Sequence, residues 1–415
     1  MDNKKIVIIT ESIDKNDSSC SKGNIALIEN LKKCGFDIKV YHYTRKNITL
    51  MGIDCRPIKE IKWSFNYLLS RTQRILQRNL NIYIHTFLES IFGFSFTFFN
   101  DVDSIKLVIN EVKKFNPDLI ITLSKGTSFR PHYAMLSFPE LYNKWIANIH
   151  DPYPFHFNPR PYNWVEPGYN KKENFFREVS INAKYSSFPS LLLKEWMGSY
   201  FTSFLKTGII IPHQNSNYLI QNRNLPDYFN VAKFNLLHAG NLMEQRSPKG
   251  LIEGFKLFLQ KNKSANKESK LFLLGPASSY AQMLEEYQES TPEIYIYNGN
   301  VDFDVVYNLQ VNVSINIILE SKSEISPFLP GKFPHCVNAN KTILSLSPFY
   351  SETRRLLGND YPYWSEVDDI EKIAALIEKL YHLWKENPNN LLLNRNDLEE
   401  YLSVNYLKNV INDLN

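Results

Sequence analysis

Apolar residues along this chain alternate between two textures, short unbroken runs and longer stretches of helical spacing. Lys4 to Thr10 (KKIVIIT) is a near-continuous apolar run, the pattern of a strand buried on both faces of a parallel sheet. The polar stretch Glu11 to Lys22 predicts a loop ending at Gly23. From Asn24 to Cys34, residues Ile25, Leu27, Ile28 and Leu31 recur at helical spacing, and Gly35 is placed as the C-cap. Phe36 to Tyr43 (FDIKVYHY) predicts a second strand. This βαβ opening predicts a Rossmann-like half. It carries no GxGxxG, so no dinucleotide cofactor is expected there.

The pattern continues with a helix over Ile105 to Phe115, punctuation at Pro117, and strands at Asp118 to Ser124 (DLIITLS) and Lys144 to His150 (KWIANIH). The second of these runs into DPYPFHFNPRPYNW, where Pro152, Pro154, Pro159 and Pro161 exclude regular structure. An aromatic, histidine-bearing loop at the C-terminal end of a parallel strand lies where open α/β sheets place their sites. Glu173 to Ala183 is amphipathic, Lys184 to Pro189 reads as a strand, and SLLLKEWMGSYF reads as a helix. Thr207 to Gln214 closes the half, and the polar residues between Pro212 and Asn235 mark a domain crossing.

The βα rhythm then restarts. Strands are expected at Phe234 to Ala239, Ser269 to Leu274, Ile294 to Tyr297, Val313 to Leu319 and Thr342 to Leu346. Helices are expected at Gly250 to Lys261, Tyr280 to Glu289, Lys332 to Asn338, Ser351 to Leu357 and Asp369 to Glu386. A last helix, Asn396 to Leu414, is expected to brace the first domain. The predicted division is an N-terminal Rossmann-like domain over 1–212, a second over 213–390, and a returning segment over 391–415. The loops after the first four strands of the second half share one sheet edge.

Length and composition narrow the class. A chain of 415 residues exceeds one ordinary core, and 43% hydrophobic with 22% charged residues describes a soluble globular protein. A formal charge of +4, without a zinc-finger, RRM-type or basic-zipper signature, argues against a nucleic-acid partner. The four cysteines (Cys20, Cys34, Cys55, Cys336) lack metal-ligand spacing, and the N-terminus enters a strand directly, so a reducing cytoplasm is expected. The most apolar segment, Phe87 to Phe99, is too short to span a bilayer. Arg56 to Phe99 holds six basic residues against two acids, interleaved with Trp63, Phe65, Tyr67, Tyr83 and Phe87. Arg71, Arg74 and Arg78 fall on one helix face, a surface suited to an anionic membrane or a lipid pyrophosphate. Peripheral contact with the inner face of the cytoplasmic membrane is the corresponding expectation.

The chemistry centres on Phe234 to Lys249 (FNLLHAGNLMEQRSPK) and the helix after it. A strand that stops at Gly240, a turn carrying Arg246 and Lys249, then a helix: this arrangement offers backbone N–H groups and cations to phosphate. Two doubly wound α/β halves facing across a cleft resemble the GT-B glycosyltransferases, and among them retaining glycosyltransferase family 4. Two stretches carry the likeness, HAGNLMEQRSPKGLIEGF and SPFLPGKFPHCVNANKTILSL.

By that resemblance Lys249 grips the donor diphosphate. Arg246 supplies the second cation that the family places after the glycine, where this chain has Asn241. The leaving nucleoside diphosphate gains charge in the transition state, which fixed cations stabilise. The family's two glutamates fall on Pro327 and His335. Glu324, with Glu320 also upstream, is the nearest carboxylate to the first, and His335 stands where the second would hold the ribose. The resemblance places the loop Ser326 to Lys332, including Phe328 and Leu329, beside the pyrophosphate. Gly275 joins the donor edge, and the loop with Gly299 and Asn300 holds the base. In the first domain it puts His150 near the transferred sugar and Asp151 at the acceptor hydroxyl. Gly23 and, from their charge and spacing, Arg71, Arg74 and Arg78 are expected to face the acceptor or membrane.

The resemblance implies a UDP- or GDP-sugar as substrate and a glycan acceptor, lipid-linked, in surface polysaccharide assembly (capsule, O-antigen or similar). It implies no metal, no other cofactor and no covalent nucleophile. An inverting transferase, a sugar-nucleotide epimerase and an inactive scaffold share this fold. A two-lobed periplasmic-type binding protein is disfavoured by the missing export signal and the clustered cations.

Overall fold

The computed structural model describes residues 4–80, 85–162, 164–216 and 225–414. Tyr83 and the middle of the expected domain crossing, residues 217–224, lie outside them. The chain divides into two compact units. One holds Met1–Asn158, Tyr162–Ser216 and Ser403–Asn415, and the other holds Pro159–Pro161 and Asn217–Leu402.

The first unit is a parallel sheet of β1 (Lys5–Thr10), β2 (Asp37–His42), β3 (Asp54–Pro57), β4 (Leu119–Leu123), β5 (Trp145–Asn148), β6 (Tyr185–Phe188) and β7 (Gly208–Ile210). The strand order is β3-β2-β1-β4-β5-β6-β7, with Ile6 in register with both Ile38 and Leu119. Alternation along β1 explains its unbroken apolar run. Ile6 and Ile8 pack with Leu27, Ile28, Leu31, Leu407 and Ile411, while Val7 and Ile9 pack with Ile105, Ile109 and Val112 on the other face.

Helices between β1 and β4 include α1 (Ser19–Lys33), α2 (Phe65–Leu80), α3 (His85–Phe92) and α4 (Phe96–Phe115). The expected loop up to Gly23 is corrected by α1, which starts at Ser19 because the Ser18 hydroxyl accepts from Ser21 N at 3.1 Å. Gly23 is therefore inside the helix. Gly35 follows its C-cap at φ +92°, the left-handed conformation glycine favours. The helix expected from Ile105 instead begins at Phe96, where Ser95 caps it by accepting from Phe98 N at 3.2 Å.

The second unit repeats the plan. Its strands are β8 (Phe234–Ala239), β9 (Ser269–Leu274), β10 (Ile294–Tyr297), β11 (Ile315–Leu319), β12 (Ile325–Ser326), β13 (Thr342–Leu346), β14 (Tyr350–Ser351) and β15 (Trp364–Ser365). The main sheet runs β10-β9-β8-β11-β13-β15, all parallel, and β12 pairs with β14 separately. A helix over Phe303–Asn312, absent from the sequence expectation, makes the crossover from β10 to β11. Both units are thus doubly wound α/β sheets of Rossmann type.

The expected single helix Asn396 to Leu414 is two, Asn396–Tyr401 and Val404–Asn412. Ser403 separates them and caps the second, accepting from Tyr406 N at 3.0 Å. Leu398 and Leu402 join a core cluster of the second unit, whereas Leu407 and Ile411 join the first.

Candidate functional site

In the second unit the C-terminal ends of β8, β9 and β10 are tied edge to edge by their backbones. Gly240 N donates to Leu274 O at 2.8 Å, Leu242 N to Pro276 O at 2.9 Å, and Gly275 N to Tyr297 O at 3.0 Å. Gly275 lies at φ +142°, and a Cβ there would come 2.4 Å from Gly240 O, so only glycine fits. Asn298 braces the next loop by accepting from Ala277 N at 2.8 Å, and Gly299 and Asn300 follow it.

Lys332 reaches this edge from the loop before the helix Phe333–Asn338. A Cβ on Gly240 would stand 2.7 Å from its ammonium nitrogen, so the bare backbone makes room for the cation. The same nitrogen lies 3.3 Å from Nδ1 and 3.4 Å from Nε2 of the buried His238. Burial and the neighbouring Arg246 push the Lys332 ammonium down to about 7, against the pull of Cys336 and Glu320. Burial, Lys332 and Arg246 hold His238 well below its ordinary range, so its imidazole is neutral. Arg246 folds back over the turn, donating from Nη1 to Asn241 O at 3.1 Å.

Glu320 follows β11 and is 3% exposed. Burial raises it to about 7, opposed by Ser326, Thr353 and Arg246. The second unit therefore gathers Arg246, Lys332, the neutral imidazole of His238 and the buried carboxyl of Glu320 at one sheet edge. Sequence reasoning singled out Arg246 and Lys332, named Glu320 but preferred Glu324, and missed His238. Their signal was position alone: His238 is the last residue but one of the strand before Gly240, and Glu320 directly follows an apolar run.

The remaining donor-edge expectations scatter. Lys249 opens the helix Lys249–Lys261 with an exposed side chain, and its backbone N–H donates to Ser247 Oγ at 3.3 Å. Glu324 is exposed, so the buried carboxylate here is Glu320. Ser326 is buried and Phe328 half-buried, while the Leu329 side chain is core, packed with Ile318 and Phe333. His335 lies edge-on to Phe303, with ring centroids 4.7 Å apart.

In the first unit the corresponding edge joins β1, β4 and β5. His150 is nearly buried, with Nε2 3.3 Å from Asp151 Oδ2 and 3.4 Å from Cys20 Sγ. Its Nδ1 is 3.5 Å from Ser124 Oγ. Burial works against the imidazolium, but Cys20, Asp151 and Glu11 outweigh it and raise His150 to about 10. Beside it, Glu11 accepts from Arg130 N at 2.9 Å and Arg130 Nη1 at 3.2 Å. Asp101 on α4 completes the set, 3.1 Å from Arg130 Nε and 3.0 Å from Arg45 Nη2. Sequence reasoning found His150 and Asp151 but not Cys20, Glu11, Arg130 or Asp101. Gly23 sits in the second turn of α1, where a Cβ would meet nothing within 4 Å. Among the described residues, no group of three or more His, Cys, Asp or Glu side chains is arranged to hold a metal ion.

No protein-family profile matches this chain, and no curated protein sequence matches it. Solved structures do. The chain is similar to Anabaena Alr3699/HepE, crystallised in complex with UDP and glucose, at TM-score 0.61 and 9% identity over 99% of each chain. It is similar to the trehalose-6-phosphate protein from E. coli bound with UDP-2-fluoro glucose, at TM-score 0.59 and 12% identity over 99% of each. WaaG, a glycosyltransferase involved in lipopolysaccharide biosynthesis, matches at TM-score 0.59 and 10% identity, over 98% of this chain and 100% of its own. These likenesses define the fold class as that of the GT-B glycosyltransferases.

Proposed function

We propose that this protein is a glycosyltransferase that moves a sugar from a nucleoside diphosphate donor, a UDP- or GDP-sugar, to a glycan acceptor. The approach of Lys332 to the bare backbone of Gly240, with Arg246 held on the carbonyl of the next residue, carries the reading. Two cations at the C-terminal edge of a parallel sheet fit a diphosphate, and three linked backbone loops fit a nucleoside. UDP bound to proteins of this fold favours a UDP-sugar.

In this reading the bond from the sugar's anomeric carbon to the β-phosphate oxygen breaks, and a bond to the acceptor oxygen forms on the same face. The acceptor proton passes to the leaving phosphate. Arg246 and Lys332 stabilise the charge that develops there. The protonated His150 supplies hydrogen bonds on the acceptor side, and Asp151 Oδ2, 3.3 Å away, accepts from it or from the acceptor hydroxyl. The stereochemical outcome is retention, with no covalent protein intermediate and no metal. The acceptor class is a lipid-linked glycan of surface polysaccharide assembly, and the compartment is the cytoplasm.

The test is thermal unfolding with UDP, GDP and ADP at millimolar concentration. A nucleotide at 100 times its dissociation constant stabilises by about 2.7 kcal/mol. UDP should raise the melting temperature in the native protein and not in Lys332→Ala. No response to any nucleoside diphosphate would overturn the reading.

A further inference from the structure

Helix α2 packs against α4 through polar contacts. Ser64 Oγ donates to Asn100 Oδ1 at 2.6 Å, Asn66 Nδ2 to Asp103 Oδ2 at 3.0 Å, and Arg74 Nη2 to Thr97 Oγ1 at 3.2 Å. Its opposite side is uncovered and apolar. Phe65 is 75% exposed, Leu68 52% and Ile75 55%, at the spacing of one helical ridge, and Trp63 just before the helix is 91% exposed. Scattered exposed apolar residues are ordinary, but four along one ridge and its approach form a patch.

Charge decides what covers it. Arg71 and Arg78 are exposed alongside the ridge, Arg74 is exposed on the side that meets α4, and Phe65 to Leu80 contains no acid. A second copy of this face, docked by twofold symmetry, would set one arginine stripe near another. An apolar ridge beside a cationic stripe matches the boundary of an anionic bilayer, where side chains enter the acyl region and guanidinium groups meet phosphates. No helix of the described residues is long and apolar enough to cross a membrane, so the contact is one of surface seating.

We propose that the face formed by Trp63 and α2 seats the protein on an anionic lipid surface. The placement has a functional sense. The helix that holds α2 is α4, whose Asp101 anchors Arg130, and Arg130 in turn anchors Glu11 at the sheet edge that carries His150. Seating α2 on lipid would therefore fix that edge within a few side chains of the surface from which a lipid-linked acceptor emerges. This functional sense rests on the proposed activity; the lipid contact itself does not.

The experiment is co-sedimentation of the full chain with vesicles of phosphatidylcholine alone, or phosphatidylcholine and phosphatidylglycerol in a roughly 3:1 mixture. The native protein should bind the anionic vesicles, release with salt, and bind neutral vesicles weakly. Replacing Arg71 and Arg78 together by glutamine should weaken partitioning roughly 25-fold, about fivefold per arginine. Phe65→Ser with Leu68→Ser and Ile75→Ser should reduce it comparably, and because these side chains are exposed the melting temperature and its UDP response should hold. Native protein that ignores anionic vesicles, variants that bind as well as native, or a native dimer dissolved by the serine variant would each overturn the proposal. Vesicle binding is read without nucleotide, so its failure is distinct from failure of the UDP response.

Discussion

Lys332 and His238 share one small space at the end of β8, the ammonium nitrogen 3.3 Å from one ring nitrogen and 3.4 Å from the other. Neither gains a countercharge from this contact. Burial and Arg246 lower Lys332 to about 7, while the imidazole stays neutral. Around Lys332 burial and Arg246 outweigh the pull of Cys336 and Glu320, so negative charge is in short supply there.

That shortage predicts proton uptake on nucleotide binding. A bound diphosphate raises the Lys332 pKa, so below about 7 the lysine is protonated with or without ligand and affinity is full. As pH rises from about 7 toward the ordinary 10.5, the free protein loses the proton that the complex keeps, and UDP affinity should fall by up to tenfold per pH unit. Calorimetric titration in two buffers of different ionisation enthalpy should register close to one proton bound near pH 8, and Lys332→Arg, which keeps the charge without titrating, should bind UDP with no uptake.

Arg246 and Lys249 should separate sharply. Arg246 bears electrostatically on Lys332, His238 and Glu320, whereas Lys249 is exposed at its helix start. Arg246→Ala should lower kcat roughly 100-fold or more if its charge meets the leaving diphosphate. Lys249→Ala should cost less than about 10-fold, the scale of a solvated cation at a helix N-terminus. Equal losses would return the role to Lys249, as the motif resemblance implies.

On the other edge, the charge of His150 depends on Cys20 and Asp151. Its folded pKa is raised from 6.5 to about 10, so the interaction is fully present below about 6.5 and is lost as pH rises through the folded value. If the imidazolium is the active form, turnover should hold across neutral pH and decline on the alkaline side. Cys20→Ala removes one supporting contact, 3.4 Å from Nε2, and should move that decline to lower pH while leaving a plateau. A pH–rate profile that Cys20→Ala does not shift would detach the thiol from the histidine's charge.

How much of this was legible depends on the range of the interactions. β8, β9 and β10 match the sequence expectation residue for residue, because each is an apolar run bounded by polar or glycine positions. The break at Ser403 was hidden because Leu398 with Leu402 and Leu407 with Ile411 each keep helical spacing, and only the five-residue step between the pairs, which pack into different units, marks it. The helix Phe303–Asn312 was hidden because few of its residues are buried, Leu309 and Gln310 alone among them. His150 was visible as a histidine ending an apolar strand. Its charge was not, since Cys20 reaches it from 130 positions away. Glu11, Arg130 and Asp101 likewise meet only when β1, α4 and the loop after β4 are brought to one edge, and no local pattern encodes that meeting.

Two glycines test whether backbone approach or flexibility is at stake. At Gly275 an added Cβ would stand 2.4 Å from Gly240 O, at a φ of +142° that other residues rarely adopt. Gly275→Ala should therefore destabilise by about 1–3 kcal/mol and also push the β8 and β9 loops apart, since the clash is with backbone. Its UDP response should fall even under conditions where the variant is fully folded. Gly23 lies within α1 with open space around its Cβ position. Gly23→Ala should stabilise by about 0.5–1 kcal/mol, the ordinary gain of alanine over glycine in a helix interior. If the open space beside Gly23 receives the acceptor, the same methyl should raise the acceptor KM and leave donor binding unchanged. Thermal unfolding with and without UDP, alongside steady-state kinetics in each substrate, separates the two, and a Gly23→Ala enzyme with native acceptor KM would remove that glycine from the acceptor site.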